Sequence, residues 1–192
     1  MIKLSILILT IPNRRKTFLN SLLDNLEKQT KNQNDIEILV LYDNKKRSVG
    51  EKRTNLLKLA KGEYVTFIDD DDRISDDYTS SILQALKENP NTDCVVYDCI
   101  CTINNAQHKI HCKYGIEYEY NHNNSGNGFW TGKPAHTMIY KTSLVQDISY
   151  VFKNYGEDMD WVGQAHKKIV HQTRIDKILY YYDFRNATSE TR

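Results

Sequence analysis

The sequence predicts an α/β protein built on a mostly parallel, Rossmann-like sheet flanked by helices. Three observations predict it. Residues 4–9, 36–41 and 64–68 are continuous apolar runs with the length of strands covered on both faces. Two stretches with apolar residues at helical spacing, 17–29 and 51–61, lie between them. Strand, helix, strand, helix, strand in that order means parallel βαβ units. At 192 residues the chain, 1–192, is expected to be a single domain.

Each element has its own signals. Pro12 and Asn13 stop the first strand. The 17–29 helix places Phe18, Leu19, Leu22, Leu23 and Leu26 on one face. The 36–41 run is expected to be a second buried strand, ending at Tyr42-Asp43-Asn44. The 51–61 helix carries Leu56, Leu57, Leu59 and Ala60, with Gly62 as its stop. The 64–68 strand runs directly into Asp69, Asp70, Asp71 and Asp72. Ser75 is expected to cap a helix through Tyr78, Ile82, Leu83 and Leu86, ended by Asn89-Pro90. Residues 93–103 and 107–114 read as strands around an Asn104-Asn105 turn. The polar, Asn- and Gly-rich stretch 115–134 reads as a mobile loop and 137–140 as a short strand. Residues 158–169 suit a helix with Trp161, Val162, Ala165 and Ile169 on one side, and 177–182 a last strand.

Composition excludes several classes. Twenty-six Lys+Arg against 25 Asp+Glu leave a formal charge of +1, so no global field demands a nucleic acid or a membrane. Three Pro and eight Gly exclude collagen-like and low-complexity chains. Cys94, Cys99, Cys101 and Cys112 form no Cys-x-x-Cys pair and are expected to be reduced, structural thiols. The first apolar run is too short to span a bilayer, and Pro12-Asn13-Arg14-Arg15-Lys16 follows it where a leader would carry a small-residue cleavage site. No membrane span and a cytoplasmic location are the expectation.

Ligands of parallel sheets bind at the carboxyl ends of the strands. The loops at 10–15, 43–50 and 69–73 should therefore converge. Four consecutive aspartates repel one another and raise the cost of ionisation. A hard divalent cation, Mg or Mn, removes that cost and keeps substrate phosphates as further ligands. A helix start by itself would ask for only one or two acids. Residues 43–61 hold seven Lys/Arg and two acids, whereas 63–77 hold seven acids and one Arg. A basic helix beside an acidic turn suits a diphosphate–metal complex. Arg53 is the best phosphate candidate because guanidinium binds phosphate in a bidentate way. Glu157-Asp158-Met159-Asp160 either compensates a helix dipole or supplies a general base. His108, His111 and Cys112 lie in strand–turn sequence, which argues against a metal site there.

Several runs together resemble the family 2 glycosyltransferases of the GT-A fold. Residues 5–14 (Ser-Ile-Leu-Ile-Leu-Thr-Ile-Pro-Asn-Arg) are similar to the family's first strand, and 36–43, ending in Asp43, to its second. Residues 48–53 (Ser-Val-Gly-Glu-Lys-Arg), then 60–72 ending in the aspartates, are similar to its donor site and Asp-x-Asp segment. Pro134-Ala135-His136, Tyr140-Lys141 and residues 156–161 resemble its acceptor side, and 179–185 its closing segment. The family often has another Asp where Tyr42 stands, and Asn where Thr54 stands.

The resemblance implies a GT-A sheet with a smaller antiparallel acceptor-side element, residues 1–100 holding a sugar nucleotide and 101–192 the acceptor. It implies a metal-dependent inverting glycosyltransferase using a nucleotide-sugar donor, a UDP-sugar favoured. Thr10, Pro12, Arg14, Asp43, Arg53, Asp69 and Asp70 would bind the donor and Asp71 the cation. Asp158 would be the base, with Glu157 orienting the acceptor. Trp130, beside Phe129, His136 and Asp160 would bind the acceptor, and His171 is a candidate late metal ligand.

The acceptor hydroxyl would belong to a glycan. An alternative is a hydroxymethylated DNA base, as phage-type transferases use, with Arg14, Arg15, Lys16, Lys45, Lys46 and Arg47 tracking phosphates. A haloacid-type phosphatase needs an Asp where this chain has Thr10-Ile11-Pro12. A noncatalytic nucleotide- or carbohydrate-binding module is the alternative from another class.

Overall fold

β1 (Leu4–Thr10) is buried along its whole length because it has a parallel neighbour on each edge. One is β2 (Ile36–Tyr42), with Leu4 opposite Ile36; the other is β3 (Tyr64–Asp69), with Leu4 opposite Tyr64. Parallel neighbours need crossovers. α1 (Asn20–Thr30) and α2 (Val49–Leu59) supply them. The computed structural model describes residues 1–103, 109–123 and 129–184. The Asn104-Asn105 turn, His108 and Arg185 lie outside the described residues.

The helix expected at 17–29 begins only at Asn20. A 3-10 turn (Pro12–Arg14) and a π turn (Arg15–Leu19) precede it and bury Arg14. β2 is not a buried strand but the edge of the sheet, with Val40 and Tyr42 exposed. Among the described residues its apolar run has only one partner strand, and Ile36, Ile38, Leu39 and Leu41 pack against the core from there. α2 starts at Val49, earlier than its apolar spacing indicates, because the Ser48 hydroxyl accepts the Glu51 amide at 3.2 Å as a cap. In α3 (Tyr78–Glu88) the cap position belongs to Asp77, not Ser75; the Ser75 hydroxyl donates to the Asp77 carboxylate at 2.8 Å.

The second half adds β4 (Arg73–Ile74), β5 (Cys94–Ile103), β6 (Lys109–Tyr114), β7 (Asn121–Asn123), β8 (Phe129–Gly132) and β9 (Ile139–Lys141). α4 (Thr142–Val145), α5 (Glu157–Ala165) and β10 (Gln172–Phe184) complete it. The strands form one sheet in the order β2-β1-β3-β9-β5-β6-β8-β7, with β10 beside β5 and β4 beside β10. The expected loop at 115–134 therefore contains β7 and β8. The free edge of β6 takes the backbone groups of β8, with Cys112 opposite Trp130, and β7 pairs in turn on β8. Polar composition hid this pairing, which depends on an edge formed elsewhere in the chain.

β9 is short, and its length shapes the molecule. It pairs only with Tyr64–Val65 of β3 and Cys94–Val95 of β5. Beyond those residues the segment before β9 enters between the two long strands. There the Thr137 carbonyl accepts from Thr66 of β3 at 2.9 Å and Tyr97 of β5 at 2.6 Å. His136 stands next to it at the carboxyl end of β3. Among the described residues no helix is long and apolar enough to cross a membrane.

α5 is anchored by Trp161, which is 1% exposed. Its ring stacks on Tyr150 at 5.1 Å and 3° and meets Tyr140 edge-on at 5.1 Å. Trp161→Ala should cost about 3–5 kcal/mol in urea denaturation, because the surrounding rings cannot collapse into the space left.

Candidate functional site

A cavity of about 470 Å³ opens at the carboxyl ends of the parallel strands. Its walls bring together Arg14, Arg53, Asp69, Asp70, Asp71, Trp130, His136, Glu157 and Asp158, which the sequence scatters over the whole chain. Thr10, Pro12, Asp43, Asp160 and His171 are not on those walls. Thr10 lies behind them and donates to Asp70 Oδ2 at 2.7 Å. Pro12 opens the 3-10 turn. Asp43 organises its own loop: its carboxylate accepts the Lys46 amide at 2.9 Å and Arg47 Nε at 2.8 Å. Asp160 pairs with Lys153, and the His171 backbone holds Asp93 at the start of β5. The walls also include Tyr120, Tyr155 and Met159, which sequence reasoning missed. The one available signal was Tyr155 standing directly before Gly156-Glu157-Asp158.

Arg53 links the two acidic clusters. Its Nη2 meets Asp69 Oδ1 at 2.9 Å and its Nε meets Glu157 Oε1 at 3.2 Å. Its guanidinium lies 5.1 Å from the centre of the Phe67 ring, and Nη1 is buried with no hydrogen-bond partner among the described residues. His136 makes a second link, with Nε2 3.6 Å from Asp69 Oδ2 and Nδ1 3.5 Å from Asp158 Oδ2. The order Glu157, Arg53, Asp69, His136, Asp158 is thus one chain of alternating partners.

The segment carrying Glu157 and Asp158 is bolted to α2. The Val49 amide donates to Asn154 Oδ1 at 3.0 Å, the Gly50 amide to the Lys153 carbonyl at 3.1 Å, and the Tyr150 amide to Thr54 Oγ1 at 2.9 Å. The first amides of α2 are therefore used by the chain itself and are not left for a phosphate. Gly156 takes φ +71°, a left-handed turn that suits glycine, and α5 starts immediately after it.

The four aspartates differ sharply. Burial works against the charge of Asp69, but Arg53 outweighs it and, with His136, holds the carboxyl well below the usual range. Burial raises Asp70 above its ordinary value against the pull of Arg14 and Thr10. Burial pushes Asp71 up to about 6, with Arg14 opposing and Asp69 and Asp70 adding to the rise. Asp72 is raised well above its ordinary value by burial, then by Asp69 and Asp71; the Tyr180 hydroxyl donates to it at 2.6 Å. Four carboxyls thus crowd a turn whose arginine partners among the described residues are Arg14 and Arg53.

A hard dication suits that crowding and the all-oxygen donors. Among the described residues no group of three or more His, Cys, Asp or Glu is arranged to hold a metal. A cation at Asp71 would therefore take the rest of its shell from ligand phosphates and water, a common arrangement for Mg. His111 is engaged elsewhere, with Nε2 2.7 Å from Asp98 Oδ2.

Two outcomes test this description. A Cβ on Gly50 would stand 1.9 Å from the Val151 carbonyl oxygen, a backbone atom. Gly50→Ala should displace the 150–156 segment and cost roughly 1–3 kcal/mol in chemical denaturation. Asp71→Asn should stabilise the protein in chelator. The folded carboxyl titrates near 6 and the unfolded one near 4, so its ionisation penalty is absent below about pH 4 and complete above about pH 6. We expect a gain of about 1–3 kcal/mol at pH 7–8 that vanishes towards pH 4, read from urea melts of both proteins across that range.

Comparison with known proteins places this geometry. No curated protein matches the chain in sequence. Among solved structures it resembles TarS of S. aureus, with a TM-score of 0.70 at 18% identity, over 95% of this chain and 37% of that one. It also resembles S. aureus TarS 1-349 in complex with UDP-GlcNAc, with a TM-score of 0.68 at 18% identity, over 98% of this chain and 60% of that one. The chain thus spans between about a third and three fifths of the length of these structures, and the likeness is one of fold: a curled, mostly parallel GT-A sheet flanked by helices. The family model described as glycosyl transferase family 2 matches residues 20–149, more than half of the sequence. With the acid turn, Arg53 and the Glu157–Asp158 pair gathered on one cavity of that sheet, the chain belongs to glycosyl transferase family 2.

Proposed function

We propose that this chain transfers a sugar from a nucleotide-sugar donor, a UDP-sugar favoured, to a hydroxyl of a glycan, by a single displacement with inversion. The observation that carries the reading is the convergence of Asp69–Asp71 and Glu157–Asp158 on one cavity, joined through Arg53 and His136. The UDP-GlcNAc complex of the structurally similar TarS supports the choice of donor. The four free, buried cysteines suit a reducing cytoplasm.

In this reading the donor lies along the carboxyl ends of β1 and β3. Arg53 Nη1, buried beside Asp69 and without an acceptor among the described residues, is satisfied by a donor oxygen. Thr10 and Asp43 shape the base side from behind, through the Asp70 and Arg47 contacts. Asp71 would hold a Mn or Mg ion, whose charge would offset that of the departing diphosphate. The acceptor oxygen forms its bond to the anomeric carbon as the bond from that carbon to the diphosphate breaks on the opposite face. The hydroxyl proton passes to Asp158. Glu157, held by Arg53, fixes the acceptor-side end of α5 while this happens.

The acceptor wall favours a glycan over DNA. Tyr120, Trp130 and Tyr155 bring aromatic rings to the cavity wall that also carries Asp158, and Lys113 is the one lysine among the described residues lining the cavity. Sugars stack on such rings, whereas a polyanion would face Glu157 and Asp158. Aromatic side chains also present large contact area at little conformational cost.

Asp158→Asn keeps the shape of the side chain but cannot accept the proton. Turnover should fall roughly 10²- to 10⁴-fold, followed by mass spectrometry of a glycan acceptor panel, while UDP affinity by calorimetry stays near that of the unmodified protein. Normal turnover in this variant, or a product that keeps the donor's anomeric configuration, would overturn the mechanism.

A further inference from the structure

The two buried arginines of the cavity are held in different ways. Arg53 is locked between Asp69 and Glu157, and its partners are fixed by β3 and by the start of α5. Arg14 spans two neighbouring acids of the same turn. Its Nη1 donates to Asp70 Oδ1 at 2.8 Å, and its Nη2 pairs with Asp71 Oδ2 at 3.0 Å. The Asp70 side of this fork is firm. Asp70 is 3% exposed and its second oxygen accepts the Thr10 hydroxyl at 2.7 Å. The Asp71 side is the loose one, since the Asp71 side chain is 18% exposed and faces the cavity.

We propose that Arg14 is the resident counter-ion of the cation position, and that it gives up Asp71 when a divalent cation and a diphosphate enter together. The proposal rests on the reading of Asp71 as the cation's carboxylate. A dication at Asp71 and the Arg14 guanidinium would compete for one carboxylate, and two positive charges that close repel. With no diphosphate present, the cation must displace Arg14 from Asp71 with no phosphate there to take up the freed end. With a diphosphate present, Arg14 can keep Asp70 and turn its freed end to a phosphate oxygen, which guanidinium binds well. Cation and nucleotide then favour each other's binding, and by linkage the coupling is reciprocal. The site is held back from loading with metal alone. When nucleotide and cation leave after transfer, the Arg14–Asp71 pair forms again.

The test uses Mn²⁺ alone, then Mn²⁺ with saturating UDP, titrated by calorimetry into the full chain. Arg14→Gln should bind Mn²⁺ alone about five- to a hundredfold more tightly than the unmodified protein, and should bind UDP more weakly. Arg14→Lys keeps the positive charge that the buried acids need, but its ammonium is a point charge and not a fork. It should shift Mn²⁺ affinity in the same direction by less, so it carries the test if the Gln variant does not fold. If both folded variants bind Mn²⁺ alone no more tightly, while Asp71→Asn abolishes Mn²⁺ binding, Arg14 is no counter-ion and the Asp71 site still stands. If Mn²⁺ does not bind the unmodified protein with or without UDP, the cation reading fails and this inference with it.

Discussion

Arg53 sits buried between Asp69 and Glu157, a residue 104 positions away, and the rest of the site depends on that contact. A lone buried guanidinium would be very costly, and so would the buried Glu157 carboxylate without it. The planar fork resolves both by meeting one acid through Nη2 and the other through Nε. The end of β3 and the start of α5 cannot part without stranding a charge. The cavity exists in the space these two ends enclose.

The backbone repeats the same connection in neutral form. Residues 150–154 satisfy the opening amides of α2, and Thr54 receives the Tyr150 amide. Behind them Tyr150 stacks on Trp161, and Phe67 meets the Tyr150 ring edge-on at 5.7 Å while lying under Arg53. Charge, hydrogen bonds and ring packing therefore hold one joint. Because three kinds of interaction agree, they set Asp158 and Asp69 on either side of His136. The short strand β9 allows this, since a longer one would fill the gap between β3 and β5 that His136 enters.

The joint is rigid on the Arg53 side and less so on the Arg14 side. Three of the four consecutive carboxylates share two arginines, and the shares are unequal. Asp69 has the locked cation, Asp70 has Arg14 and a threonine, and Asp72 has a tyrosine and a backbone amide. Asp71 has the outer end of Arg14 and an open face, which suits a position that must accept and release a charge.

Much of this was legible in the chain. The apolar runs of β1 and β3, the aspartates that end β3 and the acids that open α5 are contiguous, and contiguous signals follow from local periodicity and charge repulsion. Other features had no local signal. The edge position of β2, the pairing of β8 on β6 and the seat of Glu157 on Arg53 each need a partner beyond their own segment. Asp43 and Thr10 carry the right chemistry at strand ends, yet their side chains are taken by Arg47 and Asp70. By itself the sequence determined an α/β sheet, its acid-rich strand end and the residue types of a transfer site. Tertiary structure alone decided which carboxylate keeps which cation and how wide the gap between β3 and β5 is, because burial and distance, which set the strength of every charge pair, exist only once the strands have been arranged.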